Sequence, residues 1–460
     1  PGTYSVRGPR PRPSMAALSG RSRDEAEDEE ADRFGGFRDR RAADIVISEG
    51  EEGEADEETK TLTTRTHHEE EEEEGETDDF DEDRPWLFVQ LADSQLGLLN
   101  ASDPGCEEDW ATEAECLRLA VSKINAMKPK PAFVVVCGDL INEFPAGVGR
   151  AAASVSRADR QVRDFKSICA AFDPSIRLVC VCGNHDVGDF PTKASIDLFT
   201  SRFGDDYGVF DVMGTRCVVL NSQLYSLREA ADDEDDDDSQ QAGETTTKTT
   251  TTSAALALAD AQDAWLRREL RRASRRRRTL VFKHIPPFIF EPDERKGYFN
   301  MRPDLRHALL DTLRASGDDV KIFCGHLHRN AGGWFKRDLE VVVTSAVGTT
   351  LGWDPAGDKL GISGLSWEAR RCDPDTSGFR CVCVGRGQVR HRWFPLNEVP
   401  RHFDLDTVLR SSPPAAPGGT CSPGGTGATT TLISPAVETA TNGEPLLSRV
   451  GTDGWEGLRP

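Results

Sequence analysis

The 460-residue chain reads as an α/β protein, a two-layered β-sandwich with outer helices and a mainly parallel core. The first reason is a set of short apolar runs, free of proline, that end on a glycine and then on polar residues. Phe133-Val134-Val135-Val136-Cys137 stops at Gly138-Asp139, the run 177–182 at Gly183-Asn184-His185-Asp186, and the run 320–324 at Gly325-His326-Leu327-His328. Runs this short and apolar are buried strands. The second is that stretches with apolar residues at helical spacing lie between them, and such alternation implies a parallel sheet. The third is the position of the polar residues: in open α/β sheets the chemistry gathers at the strand ends, where a glycine lets the backbone turn sharply.

In chain order, Trp86-Leu87-Phe88-Val89-Gln90-Leu91-Ala92 is the first strand, ending at Asp93-Ser94-Gln95. Ala114, Leu117, Val121 and Ile124 mark a helix over 113–127 that Pro129 and Pro131 stop. After the strand to Asp139, Val162, Phe165, Ile168, Cys169 and Phe172 mark a second helix over 160–172. A helix over 193–203 and a strand over 217–221 follow. Residues 229–253 join an Asp run to a Thr run without apolar periodicity, which predicts a surface insertion in a loop. Asp260 is placed to cap a helix carrying Ala264, Trp265, Leu266 and Leu270, whose basic end, Arg271, Arg272 and Arg275 to Arg278, is solvated. The strand 279–283 stops at His284-Ile285-Pro286-Pro287, where two prolines forbid further ladder bonds. Pro303 opens a helix with Leu305, Leu309 and Leu313 on one face. Runs at 341–344, 380–384 and 388–393 are shorter strands expected to close the second half.

Composition bounds the rest. Residues 1–84 are an acidic tail and 404–460 a Pro-, Gly-, Ser- and Thr-rich one; neither can offset the entropy of ordering a backbone, so both are expected to be disordered around one domain at 85–403. The net charge of -23 argues against generic nucleic-acid binding. No apolar run is long enough to span a membrane, and a cytoplasmic location is the default expectation. Several of the twelve cysteines sit inside apolar strand runs, as small hydrophobes rather than a disulfide framework.

The strand-end residues Asp93, Gln95, Asp139, Asn184, His185, Asp186, His284, His326 and His328 are oxygen donors and imidazoles, more than one ion needs. Such a set suits Zn, Mn or Fe, and two ions sharing a bridging carboxylate is the economical arrangement.

In these blocks the chain resembles the calcineurin-like metallophosphoesterases, whose pattern is D-x-H, G-D, G-N-H-D or G-N-H-E, a lone H, and G-H-x-H; here Gln95 stands where the first histidine would be. The resemblance covers nearly all of 85–403 and implies a metallophosphoesterase-type β-sandwich flanked by helices. It also implies two divalent ions, one at Asp93, Asp139 and His328 and the other at Asp139, Asn184, His284 and His326. His185 would be the proton donor to the leaving oxygen, with Asp186 orienting it. Gln95 is a poorer donor than an imidazole, so the first ion is expected to be the labile one; two residues from Asp93 on an extended strand end, its side chain would reach the same ion. The implied activity is metal-dependent hydrolysis of phosphate monoesters, with protein phosphoserine or phosphothreonine as substrate. A phosphodiesterase acting on cyclic nucleotides or other diesters, or a binding scaffold that lost the chemistry, are the alternatives.

Overall fold

The computed structural model describes residues 84–410, apart from 103–104, 106–108, 146–151, 236–244, 273–277, 318, 354–364 and 386. The two expected tails thus lie outside the described residues, except for their inner ends. Two sheets face each other. The first runs β13-β12-β1-β2-β3 and the second β4-β5-β6-β7-β9-β8, with a separate β10-β11 hairpin. The strands are β1 (Trp86–Leu91), β2 (Phe133–Cys137), β3 (Arg177–Val181), β4 (Gly208–Val212), β5 (Thr215–Val219), β6 (Arg278–Phe282), β7 (Asp319–Cys324), β8 (Ala331–Phe335), β9 (Leu339–Val343), β10 (Thr350–Trp353), β11 (Leu365–Arg371), β12 (Gly378–Gly385) and β13 (Gln388–Pro395).

Side chains alternate across each strand, and this sorts the apolar runs into layers. Trp86, Phe88, Phe133 and Val135 point between the sheets, where they meet Phe282, Phe323 and Val342 of the second sheet. Phe88 packs edge-on against Phe282 and Phe323, with ring centroids 5.7 and 5.5 Å apart. Leu87, Val89, Leu91, Val134 and Val136 point the other way. Helices α1 (Ala111–Asn125) and α2 (Ala152–Cys169) cover them with Leu117, Val121, Ile124 and Phe165. The outer face of the second sheet is covered in the same manner by α6 (Thr245–Arg272) and α7 (Pro303–Arg314), through Leu266, Leu270, Leu309 and Leu313. The short α3 (Asn184–Val187), α4 (Lys193–Phe203) and α5 (Gln223–Asp235) complete the set up to α6. β1, β2 and β3 are mutually parallel, as are β5, β6, β7 and β9. A parallel-core sandwich with outer helices is the architecture expected.

Several expectations are corrected. The strands at 380–384 and 388–393 do not close the second half: β12 lies antiparallel to β1, and β13 beside it, so both return to the first sheet. Of the insertion expected at 229–253, residues 236–244 lie outside the described residues, and the described parts on either side are helical rather than irregular. Helix α5 continues to Asp235 and α6 begins at Thr245, because Leu224 and Leu227 on one and Ala259 on the other share an apolar seam that no local periodicity announces. Glu229 is buried and accepts from the Arg302 backbone N–H at 2.7 Å. Asp260 lies within α6 and pairs with Arg228 of α5 at 2.8 Å, so it caps nothing. Arg278 is not part of a solvated helix end; it opens β6, buried, and donates to the Gly385 carbonyl. The domain also runs past 403, since α8 (Leu405–Arg410) buries Leu405, Val408 and Leu409 against the first sheet.

Candidate metal centre

The two sheets meet the site at one edge. Asp93 follows β1, Asp139 follows β2, Asn184 to Asp186 follow β3, His284 follows β6, and His326 and His328 follow β7. Backbone bonds stitch these ends together: Asp93 N–H to the Gly138 carbonyl (3.1 Å), Gln95 N–H to Asp139 (2.9 Å) and Gly325 N–H to His284 (3.0 Å). The close approach explains the glycines. A Cβ on Gly138 would lie 2.3 Å from His284 Nδ1, and one on Gly183 would lie 2.1 Å from Asp139 Oδ1.

The turns are tight enough to force Asp93, Gln95, Asp139, His326 and His328 to positive φ, at 51, 34, 50, 72 and 58°. Non-glycine residues adopt this region at a cost, and such strain gathers at functional sites. It also corrects the expectation for Asp93 and Gln95. They do not share a side of an extended strand; β1 ends at Leu91, and left-handed turns aim both side chains.

The donors form two triads, each able to hold a metal ion: Asp139, His284 and His326, and Asp93, Asp139 and His328, with the donor atoms of each within 4.8 Å of one another. Asp139 belongs to both. His284 Nε2 faces Asp139 Oδ2 at 3.3 Å, Asn184 Oδ1 at 3.1 Å and His326 Nδ1 at 3.1 Å. The far nitrogen of each ring meets a backbone carbonyl: His284 Nδ1 that of Cys137, His326 Nε2 that of Tyr298, and His328 Nδ1 that of Thr349. Those carbonyls can only accept, so the inward nitrogens keep their lone pairs, which is how metal-binding imidazoles are oriented. Asn184 Nδ2 donates to Asp189 Oδ1 at 3.0 Å, turning its oxygen inward.

Lone pairs converging in a buried space need a cation, and the electrostatics agree. Burial pushes the Asp93 carboxyl well above its usual value. Burial would raise Asp139 too, but His284 and His185 hold it below its usual value. Burial lowers the His326 and His328 imidazoles to about 3 and about 4. His284 moves the other way: burial would lower it, but the carboxylates of Asp139 and Asp93 beside it raise it to about 9, the mark of a position that favours positive charge. Gln95 Oε1 is buried with no hydrogen-bond partner, and its Nε2 has only a 3.5 Å contact with Asn142 Oδ1. That orphaned acceptor, with the two triads, fits a pair of divalent ions.

His185 sits beside this cluster. Its backbone N–H donates to Asp139 Oδ1 at 3.0 Å, its Nδ1 donates to the Asn142 carbonyl, and Phe144 packs on its ring at 4.2 Å. Asp186 does not orient it, contrary to expectation. Its carboxylate accepts from the Gly183 N–H (2.8 Å) and the Leu140 N–H (3.1 Å), tying the β3 and β2 loops together. Burial raises it, and then Asp139, to about 8. The aligning group is the Asn142 carbonyl, and neither it nor those of Tyr298 and Thr349 had a sequence signal, since a carbonyl belongs to every residue.

A family model, Calcineurin-like phosphoesterase, matches residues 88–330. The chain belongs to the calcineurin-like phosphoesterase family. The Serine/threonine-protein phosphatase CPPED1 of Danio rerio is 34% identical over 329 residues, covering 70% of this chain and 89% of that protein. Its counterpart in Homo sapiens is 33% identical over 332 residues, covering 71% and 88%. Among solved structures, a dimetal phosphatase from Danio rerio covers 68% of this chain and 99% of its own, at 16% identity and a TM-score of 0.40. As a calcineurin-like phosphoesterase with these phosphatase relatives, the chain is a hydrolase of phosphoesters.

Proposed function

We propose that this phosphoesterase hydrolyses phosphate monoesters of phosphoserine and phosphothreonine in protein substrates, with two divalent ions of Zn, Mn or Fe. Asp93, Gln95, Asp139 and His328 hold one ion; Asp139, Asn184, His284 and His326 hold the other. The observation that carries this reading is the sharing of Asp139 by two donor triads, with the His185 backbone bound to the same carboxylate. The similarity to serine/threonine-protein phosphatases supports the serine/threonine preference.

When bound, such ions supply Lewis acidity and lower the pKa of water. The remaining work falls to the chain. The Asn142 carbonyl accepts a hydrogen bond from His185 Nδ1–H, which leaves Nε2 free to carry the proton that the departing alkoxide requires. Phe144 packs on the ring from one side and limits its rotation. Gly138, Gly183 and Gly325 admit the donors to the close spacing described, and no thiolate stands among them.

The test is turnover of chelated and then Mn-, Zn- or Fe-loaded protein on phosphoserine and phosphothreonine peptides and on bis-phenyl phosphate. Faster hydrolysis of the peptides is expected; a preference for the diester would replace this reading with the phosphodiesterase one, and no metal-dependent turnover on either would favour a scaffold.

A further inference from the structure

All ten cysteines among the described residues are buried thiols outside any disulfide. Two of them, 256 positions apart in sequence, touch: Cys372 Sγ lies 3.7 Å from Cys116 Sγ. Cys116 is on the inner face of α1 and Cys372 directly follows β11, and both belong to the core outside the first sheet. We propose that Cys116 and Cys372 are a redox modification site, in which hydrogen peroxide converts the thiol pair to a reversible disulfide.

The chemistry balances with peroxide as the only co-reactant. The Cys116 sulfur attacks the O–O bond, keeps one oxygen as a sulfenic acid and releases one water. The Cys372 sulfur then displaces that oxygen: an S–S bond forms, the S–O bond breaks, and a second water leaves, the two thiol protons ending in water. A small uncharged oxidant suits the burial, for Cys116 is 3% exposed and Cys372 8%. The Cys372 thiol donates to Cys116, which lowers the Cys116 thiol while Cys372 is pushed up, and thiolate character decides which sulfur reacts first. Ser377 Oγ, itself buried, contacts Cys372 Sγ at 3.8 Å and donates to the Gly348 carbonyl at 2.7 Å, fixing the resolving sulfur in place.

The bond would fasten two supports of the metal centre to each other. One turn before Cys116, Glu113 accepts from the Leu99 N–H at 2.8 Å and the Gly97 N–H at 3.3 Å, in the segment that follows Asp93 and Gln95. Just before Cys372, Arg370 Nε donates to the Leu99 carbonyl at 2.7 Å, and Trp367 lies edge-on to the His328 ring at 6.2 Å. A cross-link closing so long a loop restricts the unfolded chain strongly, so oxidation is read as thermal stabilisation.

The experiment treats the full chain with hydrogen peroxide, blocks remaining thiols, and maps cross-linked peptides without reduction while following the melting temperature. A Cys116–Cys372 peptide, and a melting temperature on the order of 5 °C higher that dithiothreitol reverses, are expected. Cys372→Ser should lose the shift and leave Cys116 trapped as the sulfenic acid; Cys116→Ala, which tolerates a buried apolar site, should lose the shift with Cys372 unmodified. Overturning results are oxidised sulfurs without this cross-linked peptide, or a stability shift that persists in either variant.

Discussion

The cluster around His284 and the cluster around Asp93 share Asp139 but differ in how firmly their donors are held. At His284 each donor has an orienting partner: the Cys137 carbonyl for His284, the Tyr298 carbonyl for His326 and Asp189 for Asn184. At Asp93 the imidazole of His328 is aligned by Thr349, and both carboxylate oxygens accept from the one His326 N–H, at 3.1 and 3.0 Å. Gln95 completes that side with an amide whose oxygen has no partner. The difference teaches that affinity in such a centre depends on the groups behind the ligands as much as on the ligands. The His284 side should keep its ion and the Asp93 side should exchange it.

The largest expected effect breaks both sides at once. Asp139→Asn removes the charge common to the two triads, so both ions should bind at least about tenfold more weakly and turnover should collapse. His284→Ala should instead empty mainly its own side. Metal analysis of the two variants separates the cases, and an Asp139→Asn protein that kept one ion at full occupancy would show that the carboxylate is not shared.

Next in size is His185→Gln, expected to slow turnover of a phosphoserine peptide by about 10² to 10⁴ with metal content intact. An activated aryl phosphate, whose leaving group needs no proton, should be nearly spared; equal losses on the two esters would remove His185 from the acid role. Asp186→Asn sharpens the same point. Because Asp186 bonds only backbone N–H groups and Asn keeps one acceptor oxygen, a stability loss of about 1 kcal/mol is expected. A turnover loss as large as that of His185→Gln would return Asp186 to the aligning role that the Asn142 carbonyl occupies here.

The smallest effect bears on the asymmetry. Gln95→His should tighten the Asp93-side ion about tenfold and lower the Mn concentration needed for half-maximal activity, provided the ring fits beside Asn142. An unchanged or higher midpoint in a folded variant would assign the amide to water or substrate instead.

Much of this was legible in the sequence because burial writes itself locally. A run such as 133–137, apolar on both faces and closed by a glycine, announces both a strand and the site edge at its end. The donor residues were legible for the same reason, since each follows such a run. What could not be read was long-range. Nothing within 378–395 says that β12 returns to pair with β1, and the apolar seam joining α5 to α6 needs Leu227 and Ala259 brought together before it exists. Left-handed turns at Asp93 and Gln95 follow from tertiary stitching to Gly138 and Asp139, not from residue preference. The Cys116–Cys372 contact belongs with these: each residue reads as a small hydrophobe until the fold places one sulfur against the other.

The most direct measurement is a count of Mn bound per chain during stepwise loading of chelated protein, with activity followed in the same samples. Two ions per chain are expected, the first bound at least about tenfold more tightly than the second, with turnover rising only as the second is taken up. Saturation at one ion, two ions of equal affinity, or full turnover with a single ion bound would contradict a centre of two unequal sites joined at Asp139.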